Sequence, residues 1–145
     1  MDFAAISRAT ELYTLALGVW REARGESVMA RNAVAGVVLE RVRRPGWWGR
    51  DVVTVCTHPF QFSSMTDPRD VQLTKWPQVG DTAWGECLAI AAAALDGGLQ
   101  TPVPGATYYF DDSLAVPPFW ATKERFVGKV GRLNFYAPEN DREVA

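Results

Sequence analysis

The chain has too few cysteines and histidines for two common kinds of site. Among its 145 residues are two cysteines, Cys56 and Cys87, and a single histidine, His58. A disulfide framework in so short a chain needs more cysteines. We therefore expect both thiols to be reduced and buried, with one bridge as the alternative. Zinc would need carboxylates in addition to these three side chains, so the sequence predicts no metal and no cofactor.

Long apolar runs and an excess of one charge are also missing. No stretch approaches the roughly 18 apolar residues of a membrane span. Residues 1–10 lack the basic start and apolar run of a signal peptide. We expect a protein made in the cytoplasm that does not insert into membranes. The net charge of −2 gives no electrostatic reason to bind nucleic acid, and no such partner is predicted.

The composition is that of one ordinary globular domain. Hydrophobic residues make up 48% and charged residues 22% of the chain, and the length suits a single core. No internal repeat, low-complexity segment or linker divides the sequence. The prediction is one domain over residues 1–145, acting as a monomer, with polar and frayed residues from Pro138 onward.

Aromatic residues are abundant, and many fall outside periodic segments. The chain has six Trp, four Tyr and seven Phe. Aromatic rings in loops often plug a core, but flat rings also pack on the apolar faces of sugars. Core packing is the simpler role for any one ring, whereas the whole set indicates a sugar-binding groove. Its members in loop-like segments are Trp47, Trp48, Phe60, Phe62, Trp76 and Trp120.

Periodicity predicts a helical hairpin at the start of the chain. Apolar residues at helical spacing indicate a first helix over about 8–24, ended by Gly25 as a left-handed cap. Ser27 is a good N-cap for a second helix over about 28–43. Four charged residues of the second helix are expected mainly off its buried stripe: Arg31, Glu40, Arg43 and Arg44.

The remainder mixes irregular structure, one helix and a small sheet. Residues of about 45–80 are rich in proline and look irregular, although 52–55 suits a strand or a helical turn. Asp81 can cap a third helix over about 82–96, which Gly97 and Gly98 end. Short antiparallel strands are predicted over 107–110, 125–130 and 133–136, with a turn at Asp111 and Asp112 and another at Gly131.

Glu22 is the strongest candidate for a catalytic group. It falls on the shoulder of the first helix's buried face, beside Leu15. Partial burial raises the pKa of a carboxyl group, and a general acid near neutral pH needs a raised pKa. The alternative is an exposed helix charge that pairs with Arg21 or Arg24.

Four pieces in sequence order resemble the cell-wall hydrolases of the SleB type, the spore-cortex-lytic family. The similarity runs from about Leu15 to Tyr136, and the Glu-Ala-Arg-Gly-Glu block with its following helix is the specific part. The pieces are Glu22-Ala23-Arg24-Gly25-Glu26, Gln61-Phe62-Ser63, Gly105-Ala106-Thr107-Tyr108-Tyr109 and Gly131-Arg132-Leu133-Asn134-Phe135-Tyr136.

The resemblance implies a fold, an activity and an acid. The expected fold is α+β and lysozyme-like, mainly helical with a small antiparallel sheet. The implied activity is lytic transglycosylase cleavage of peptidoglycan strands, with Glu22 as the single catalytic acid. Family members commonly carry histidine where this chain has Tyr108 and Leu133. Either histidine could contact sugar, or Leu133 simply joins the core.

The implied reaction needs only one carboxyl group. Glu22 would protonate the oxygen that links N-acetylmuramic acid to N-acetylglucosamine. It would then accept the proton of the muramic acid 6-hydroxyl, whose attack leaves a 1,6-anhydro end. A hydrolytic muramidase, the alternative, needs a second carboxylate at about 5 to 9.5 Å. A phage role in lysis or genome entry, through a holin or a virion, and bacterial wall remodelling all fit a peptidoglycan substrate.

Six residues of the matched segments and nearby loops are predicted to bind substrate. Glu26 could instead cap the second helix or bond Arg24. Phe62 and Trp120 could stack on sugar or pack in the core, and the same choice applies to Tyr136. The predicted set is Glu26, Gln61, Phe62, Tyr108, Trp120 and Tyr136.

Two other classes of function compete with this one. A peptidoglycan-binding or structural module would use the same groove without turnover. A peptidase or amidase would need a metal cluster or a nucleophilic pair, for which Cys56 and His58 are the only candidates. No orienting group is evident near that pair.

Overall fold

The first two helices form the predicted hairpin, with sharper ends than the sequence indicated. In the computed structural model, which describes residues 2–138, α1 spans Phe3–Ala23 and α2 spans Val28–Arg43. α1 begins earlier than predicted because Asp2 caps it, accepting from the Ala5 amide at 3.1 Å. The Ser27 hydroxyl caps α2 by accepting from the Ala30 amide at 3.2 Å, as predicted.

The C-terminal end of α1 is capped differently from the prediction. Gly25 does not adopt a left-handed conformation, and the C-cap Arg24 is right-handed. Arg31 from α2 supplies the missing partners: its guanidinium donates to the carbonyls of Ala23 at 3.3 Å and Arg24 at 2.6 Å. The prediction that Arg31 lies off the buried stripe is therefore wrong. A helix end needs partners for its carbonyls, and here a side chain from the next helix provides them.

The middle of the chain holds short helices rather than continuous loop. α3 spans Val52–Thr57, which decides the 52–55 segment in favour of helix, and α4 spans Ser63–Thr66. A 3₁₀ turn follows at Val71–Thr74. α5 spans Thr82–Leu95, with Gly97 just beyond it at a φ of 83°, a conformation that glycine adopts without strain.

Asp81 links α1 to the start of α5 through its side chain. One carboxyl oxygen caps α5 by accepting from the Trp84 amide at 3.1 Å, and the other accepts from the indole of buried Trp20 on α1 at 3.1 Å. We expect Asp81→Ala to lower the free energy of unfolding by about 2–4 kcal/mol, since it removes a cap and leaves a buried indole N–H unpaired.

The matched control for Asp81 is Asp2→Ala, which removes only an exposed cap and should cost about 1 kcal/mol. Denaturant titration of both variants measures the difference. Equal losses would show that the bond to Trp20 adds nothing to stability.

A three-stranded antiparallel sheet packs beside the helices. β1 spans Tyr108–Asp111, β2 spans Phe126–Val130 and β3 spans Leu133–Tyr136, in the order β1-β3-β2. β3 is central because it pairs with β1 on one side and with β2 on the other, and the β2–β3 hairpin turns tightly at Gly131, at a φ of 56°. Its register pairs Tyr109 with Phe135. The fold is α+β, as predicted.

The core lies between α1, α2 and α5 and extends to β3. Trp48 is its largest fully buried side chain, and its indole donates to the carbonyls of Arg41 and Arg44, each at 3.0 Å. Trp48 therefore closes the C-terminal end of α2 as well as filling the core. Leu133 is buried and belongs to the core, which was one of the two possibilities for this position. Among residues 2–138, no helix is both long and apolar enough to span a bilayer, and residues 139–145, where frayed structure was predicted, lie outside the described part.

Candidate active site

Glu22 lies in the last turn of α1 and meets two other elements. Tyr109 of β1 donates its hydroxyl to the Glu22 carboxyl group. Ser64 of α4 faces the same carboxyl; its hydroxyl is fully buried and makes no hydrogen bond of normal geometry among residues 2–138. The acid is thus enclosed by a helix, a strand and a one-turn helix that are distant in sequence.

Arginine on α1 holds the short helix against the acid. Arg21 is buried and donates to the carbonyl of Ser64 at 3.2 Å and to that of Lys75 at 3.1 Å. Its guanidinium also lies 4.5 Å from the Trp76 ring centre, while that of Arg24 lies 4.0 Å from the Trp20 ring centre. Neither arginine pairs with Glu22, so the alternative of an exposed helix ion pair is wrong.

Burial dominates the electrostatics of Glu22. Removal from water raises the pKa of its carboxyl group, and the charge of Asp70 raises it further. The adjacent Ser64 hydroxyl, the hydrogen bond from Tyr109 and the charge of Arg41 all lower this pKa, without cancelling the rise. A carboxyl group in such surroundings keeps its proton to higher pH than an ordinary glutamate and can serve as an acid.

This raised pKa fixes the expected pH dependence of any acid catalysis. A general acid acts in its protonated form, so activity that depends on Glu22 as the acid should fall as pH rises through its folded-state pKa. That fall should lie above the ordinary glutamate value of about 4.3. A pH series of turnover rates at saturating substrate measures it. A decline centred on the ordinary value would contradict burial of the acid.

Tyr109 contacts Glu22 directly, although the sequence did not predict it as a site residue. Its pKa is raised well above the usual value by burial and by the adjacent Glu22, so its hydroxyl remains a donor. Its ring packs on Phe135, with centroids 5.4 Å apart, and on Phe62 at 6.5 Å. Because this hydroxyl occupies Oε1 of Glu22, the proton of the neutral acid belongs on Oε2.

A groove beside Tyr109 has the aromatic lining expected for a sugar site. It encloses about 350 Å³. Two of its lining residues are almost fully exposed, Phe119 at 94% and Phe60 at 93%, and Phe60 has a φ of 67°. We call it the aromatic groove, and its lining residues are Arg41, Trp47, Phe60, Gln61, Tyr108, Tyr109, Phe119, Trp120 and Arg125.

Phe60 lines both the aromatic groove and a larger depression of about 850 Å³. Ser63 and Met65, which flank Ser64, line the larger depression, whereas Tyr109 lines the aromatic groove. Of the two residues that face the Glu22 carboxyl group, Tyr109 lines the aromatic groove and Ser64 lies between two residues that line the larger depression. A bulky residue in a left-handed conformation stores strain of order 1–3 kcal/mol, and such strain is commonly found at functional sites.

The predicted substrate residues separate into two groups in the structure. Gln61, Tyr108 and Trp120 line the aromatic groove, and the rings of Tyr108 and Trp120 stack with centroids 4.9 Å apart. Their contact with sugar stays a prediction. Trp48, by contrast, is a core plug rather than a groove residue.

The other three predicted substrate residues lie away from the groove lining. Phe62 is only 5% exposed and packs in the core, so the prediction that it stacks on sugar does not fit the structure. Tyr136 is buried among Phe110, Trp120 and Phe126. Glu26 has an oxygen buried without a hydrogen-bond partner among the described residues and lies near the β2–β3 turn; the Ser27 hydroxyl, not Glu26, caps α2.

Arg41 is a second residue of the candidate site that the sequence did not predict. It is four residues after Val37, on the buried face of α2, where an arginine is unusual. That position was a usable signal. The pairing of Tyr109 with Glu22 had no such signal, because 87 residues separate them.

The Cys56–His58 pair does not form a nucleophilic site. Cys56 is buried in α3, and burial raises the pKa of its thiol to about 12. His58 is directed to the Pro59 carbonyl at 3.0 Å. Cys56 and Cys87 are both free and buried, which confirms the expectation of reduced thiols.

Iodoacetamide applied to the native protein should leave activity unchanged, because the Cys56 thiol is buried and protonated. An assay before and after treatment would show this. Inactivation that parallels labelling of Cys56 would contradict it.

Comparison with known proteins matches most of the chain. A family model described as Cell Wall Hydrolase matches residues 25–136. A spore cortex-lytic enzyme of Halalkalibacterium halodurans is 31% identical over 143 residues, which cover 92% of this chain and 39% of that protein. The chain thus spans well under half the length of this curated relative. The family match begins after Glu22 and does not include it.

Two solved structures share the fold. The catalytic domain of the germination-specific lytic transglycosylase SleB from Bacillus anthracis aligns with a TM-score of 0.65 and 25% identity, over 87% of this chain and 93% of that one. The catalytic domain of the Bacillus cereus SleB protein aligns with a TM-score of 0.66 and 25% identity, over 87% and 88%. The predicted lysozyme-like architecture is confirmed by these matches.

Proposed function

Because the chain belongs to the cell wall hydrolase family, we propose that it cleaves peptidoglycan glycan strands as a lytic transglycosylase with Glu22 as its acid. The observation that carries the proposal is the state of Glu22. It is a carboxyl group with a raised pKa, held by the Tyr109 hydroxyl beside a groove of aromatic rings. Such a group can protonate a glycosidic oxygen as positive charge develops on the sugar.

The surroundings of Glu22 favour a single-acid reaction. The charge of Asp70 acts on Glu22, and each oxygen of Asp70 already accepts one hydrogen bond from its own segment. One accepts from the Ser63 hydroxyl at 2.6 Å and the other from the Gln72 amide at 2.8 Å. A carboxylate tied into its own loop is poorly placed to act as a nucleophile or to activate water. The 6-hydroxyl of muramic acid would instead attack, with deprotonated Glu22 as its base.

A hydrolytic muramidase is the second candidate, because Asp70 is near enough to act on the charge of Glu22. In that mechanism Asp70 would activate a water molecule, and the product would carry a reducing end. Asp70→Asn would then reduce turnover about as much as loss of the acid. In the transglycosylase mechanism the same change should leave most of the turnover.

Product analysis separates these possibilities. Purified peptidoglycan is digested with the protein, and the fragments are analysed by mass spectrometry. Lytic transglycosylase products carry 1,6-anhydro ends and are lighter by one water than hydrolytic products. Reducing ends would support the muramidase, and cleavage within the peptides would refute both. Binding without any cleavage would leave only a binding module.

A further inference from the structure

The aromatic groove carries charge of one sign. Its lining includes two arginines, Arg41 and Arg125, and no aspartate or glutamate. The protein as a whole has a formal net charge of −2, so this local excess is not a reflection of composition. A groove that combines aromatic rings with guanidinium groups suits a sugar that bears an anion.

Arg41 is buried more deeply than is usual for an arginine that has no carboxylate partner within residues 2–138. The residue is 5% exposed and makes no salt bridge within residues 2–138. Its Nε donates to the Thr107 carbonyl at 2.8 Å, and its Nη1 donates to the Gln61 side chain at 3.3 Å. Buried charges are normally paired, because an uncompensated charge is costly to remove from water.

One nitrogen of Arg41 is left for a ligand. Nη2 makes no hydrogen bond in the described part of the chain, and it is not among the buried nitrogens sealed off without a partner. Three rings surround the guanidinium carbon, those of Trp48, Phe62 and Tyr108, at 5.3 to 5.5 Å from their centres. Two hydrogen bonds and these rings already position the guanidinium group, so less entropy would be lost on binding an anion than for a free side chain.

Arg125, the residue directly before β2, is the second arginine of the groove lining. Its guanidinium carbon is 5.7 Å from the Tyr108 ring centre, and its Nη1 donates to the Trp120 carbonyl at 3.3 Å. Both arginines therefore contact the ring of Tyr108. They add positive potential to the floor of one groove.

We propose that Arg41, assisted by Arg125, binds a carboxylate carried at C3 of muramic acid. This proposal rests on the proposed peptidoglycan substrate. In that polymer the muramic acid bears a lactyl ether, whose carboxyl group is either free or joined to the first residue of the stem peptide. N-acetylglucosamine has no such group. A carboxylate bound at Arg41 would distinguish the two sugars and fix which glycosidic bond lies at Glu22.

Binding of this carboxylate would also assist the acid. Arg41 lowers the pKa of Glu22 through its charge. A bound carboxylate offsets that charge, so Glu22 would keep its proton to higher pH in the complex than in the free protein. The alkaline decline in turnover should consequently lie at higher pH for a substrate with free carboxylates than for one with amidated carboxyl groups.

The test uses the Glu22→Gln protein, which holds ligands without cleaving them. Isothermal titration compares N-acetylglucosaminyl-N-acetylmuramic acid with its methyl amide. We expect the free acid to bind about 10- to 100-fold more tightly, the usual effect of a charged hydrogen bond. A second pair, with L-alanine on the lactyl group and its amide, locates the carboxylate. Preference only in the first pair assigns the lactyl carboxylate, and preference only in the second assigns the peptide carboxylate.

Two further variants in the same background make the test specific. Arg41→Gln should reduce the affinity ratio between acid and amide to near one, whereas Arg43→Gln, an exposed arginine two positions later on α2, should preserve it. The ratio is measured within each protein, so partial unfolding of a variant does not imitate the effect. Equal affinity for acid and amide in the Glu22→Gln protein, or a ratio that survives Arg41→Gln, would overturn the proposal.

The carboxylate site and the proposed lytic activity can be refuted independently of each other. A wild-type protein that cleaves peptidoglycan but shows no carboxylate preference would refute this inference alone. A protein that binds the free acid selectively but never cleaves would refute the lytic function and leave the carboxylate site in place.

Discussion

Replacement of Glu22 by glutamine is expected to reduce peptidoglycan cleavage by about 10²- to 10⁴-fold, the usual contribution of a general acid. Glutamine keeps the shape and can accept from the Tyr109 hydroxyl, but it has no acidic proton to give. Release of soluble fragments from purified peptidoglycan measures the loss. Retained binding to insoluble peptidoglycan, measured by co-sedimentation, would show that the groove is intact.

Glu11→Gln is the matched control, since it makes the same change on α1, remote from the site. It should leave cleavage unchanged. Substantial lysis by the Glu22→Gln protein would remove the central claim of the mechanism. Equal loss from both variants would point to damage of the helix rather than of chemistry.

The same variant should change the pH dependence of stability. Because the folded-state pKa of Glu22 is raised, the folded protein holds this proton more tightly than the unfolded chain. Its contribution to stability is therefore present below the unfolded pKa and is lost as pH rises through the folded pKa. Glutamine cannot titrate, so Glu22→Gln should gain stability relative to wild type between acidic and neutral pH. Denaturant midpoints across that range would reveal the sign.

Tyr109→Phe is expected to lower turnover by about 10- to 100-fold. The hydroxyl donates to the Glu22 carboxyl, and a hydrogen bond to a charged group contributes roughly 1.5–3 kcal/mol. This bond stabilises the carboxylate that forms when the acid gives up its proton. Its loss makes Glu22 a weaker acid, so the alkaline decline in turnover should also move to higher pH.

Tyr108→Phe is the comparison for Tyr109. It removes the same atom from the adjacent residue of β1, which stacks on Trp120 and has no hydrogen bond to Glu22. This change can alter substrate affinity, but it should not move the pH profile. An unchanged profile in Tyr109→Phe would mean that the hydroxyl only supports packing.

The local chemistry of the chain was sufficient for most of the secondary structure. Ser27 and Asp81 precede the helices that they cap, because a short oxygen-bearing side chain can reach the first free amides. The β2–β3 hairpin follows from alternating strands around a glycine. The position of Glu22 on the shoulder of a buried stripe likewise predicted a half-sheltered carboxyl group, since helical periodicity is a property of neighbouring residues.

Contacts between distant segments account for what the sequence did not predict. Gly25 does not end α1 in a left-handed turn, because Arg31 of the next helix caps the free carbonyls instead. Phe62 belongs to a piece shared with the family, yet its ring is taken up by the core. Neither outcome can be found from spacing, since each depends on which surface packs against which.

Short-range spacing and side-chain chemistry predicted the three long helices, the caps at Ser27 and Asp81, the small sheet and Glu22 as the candidate acid. Long-range packing places the Tyr109 hydroxyl on Glu22, Ser64 beside the same carboxyl group and Arg41 in the lining of the groove. Those three residues reach Glu22 or the groove from a strand, a single helical turn and a second helix. Their distances are set by packing of the whole core, which no local pattern encodes.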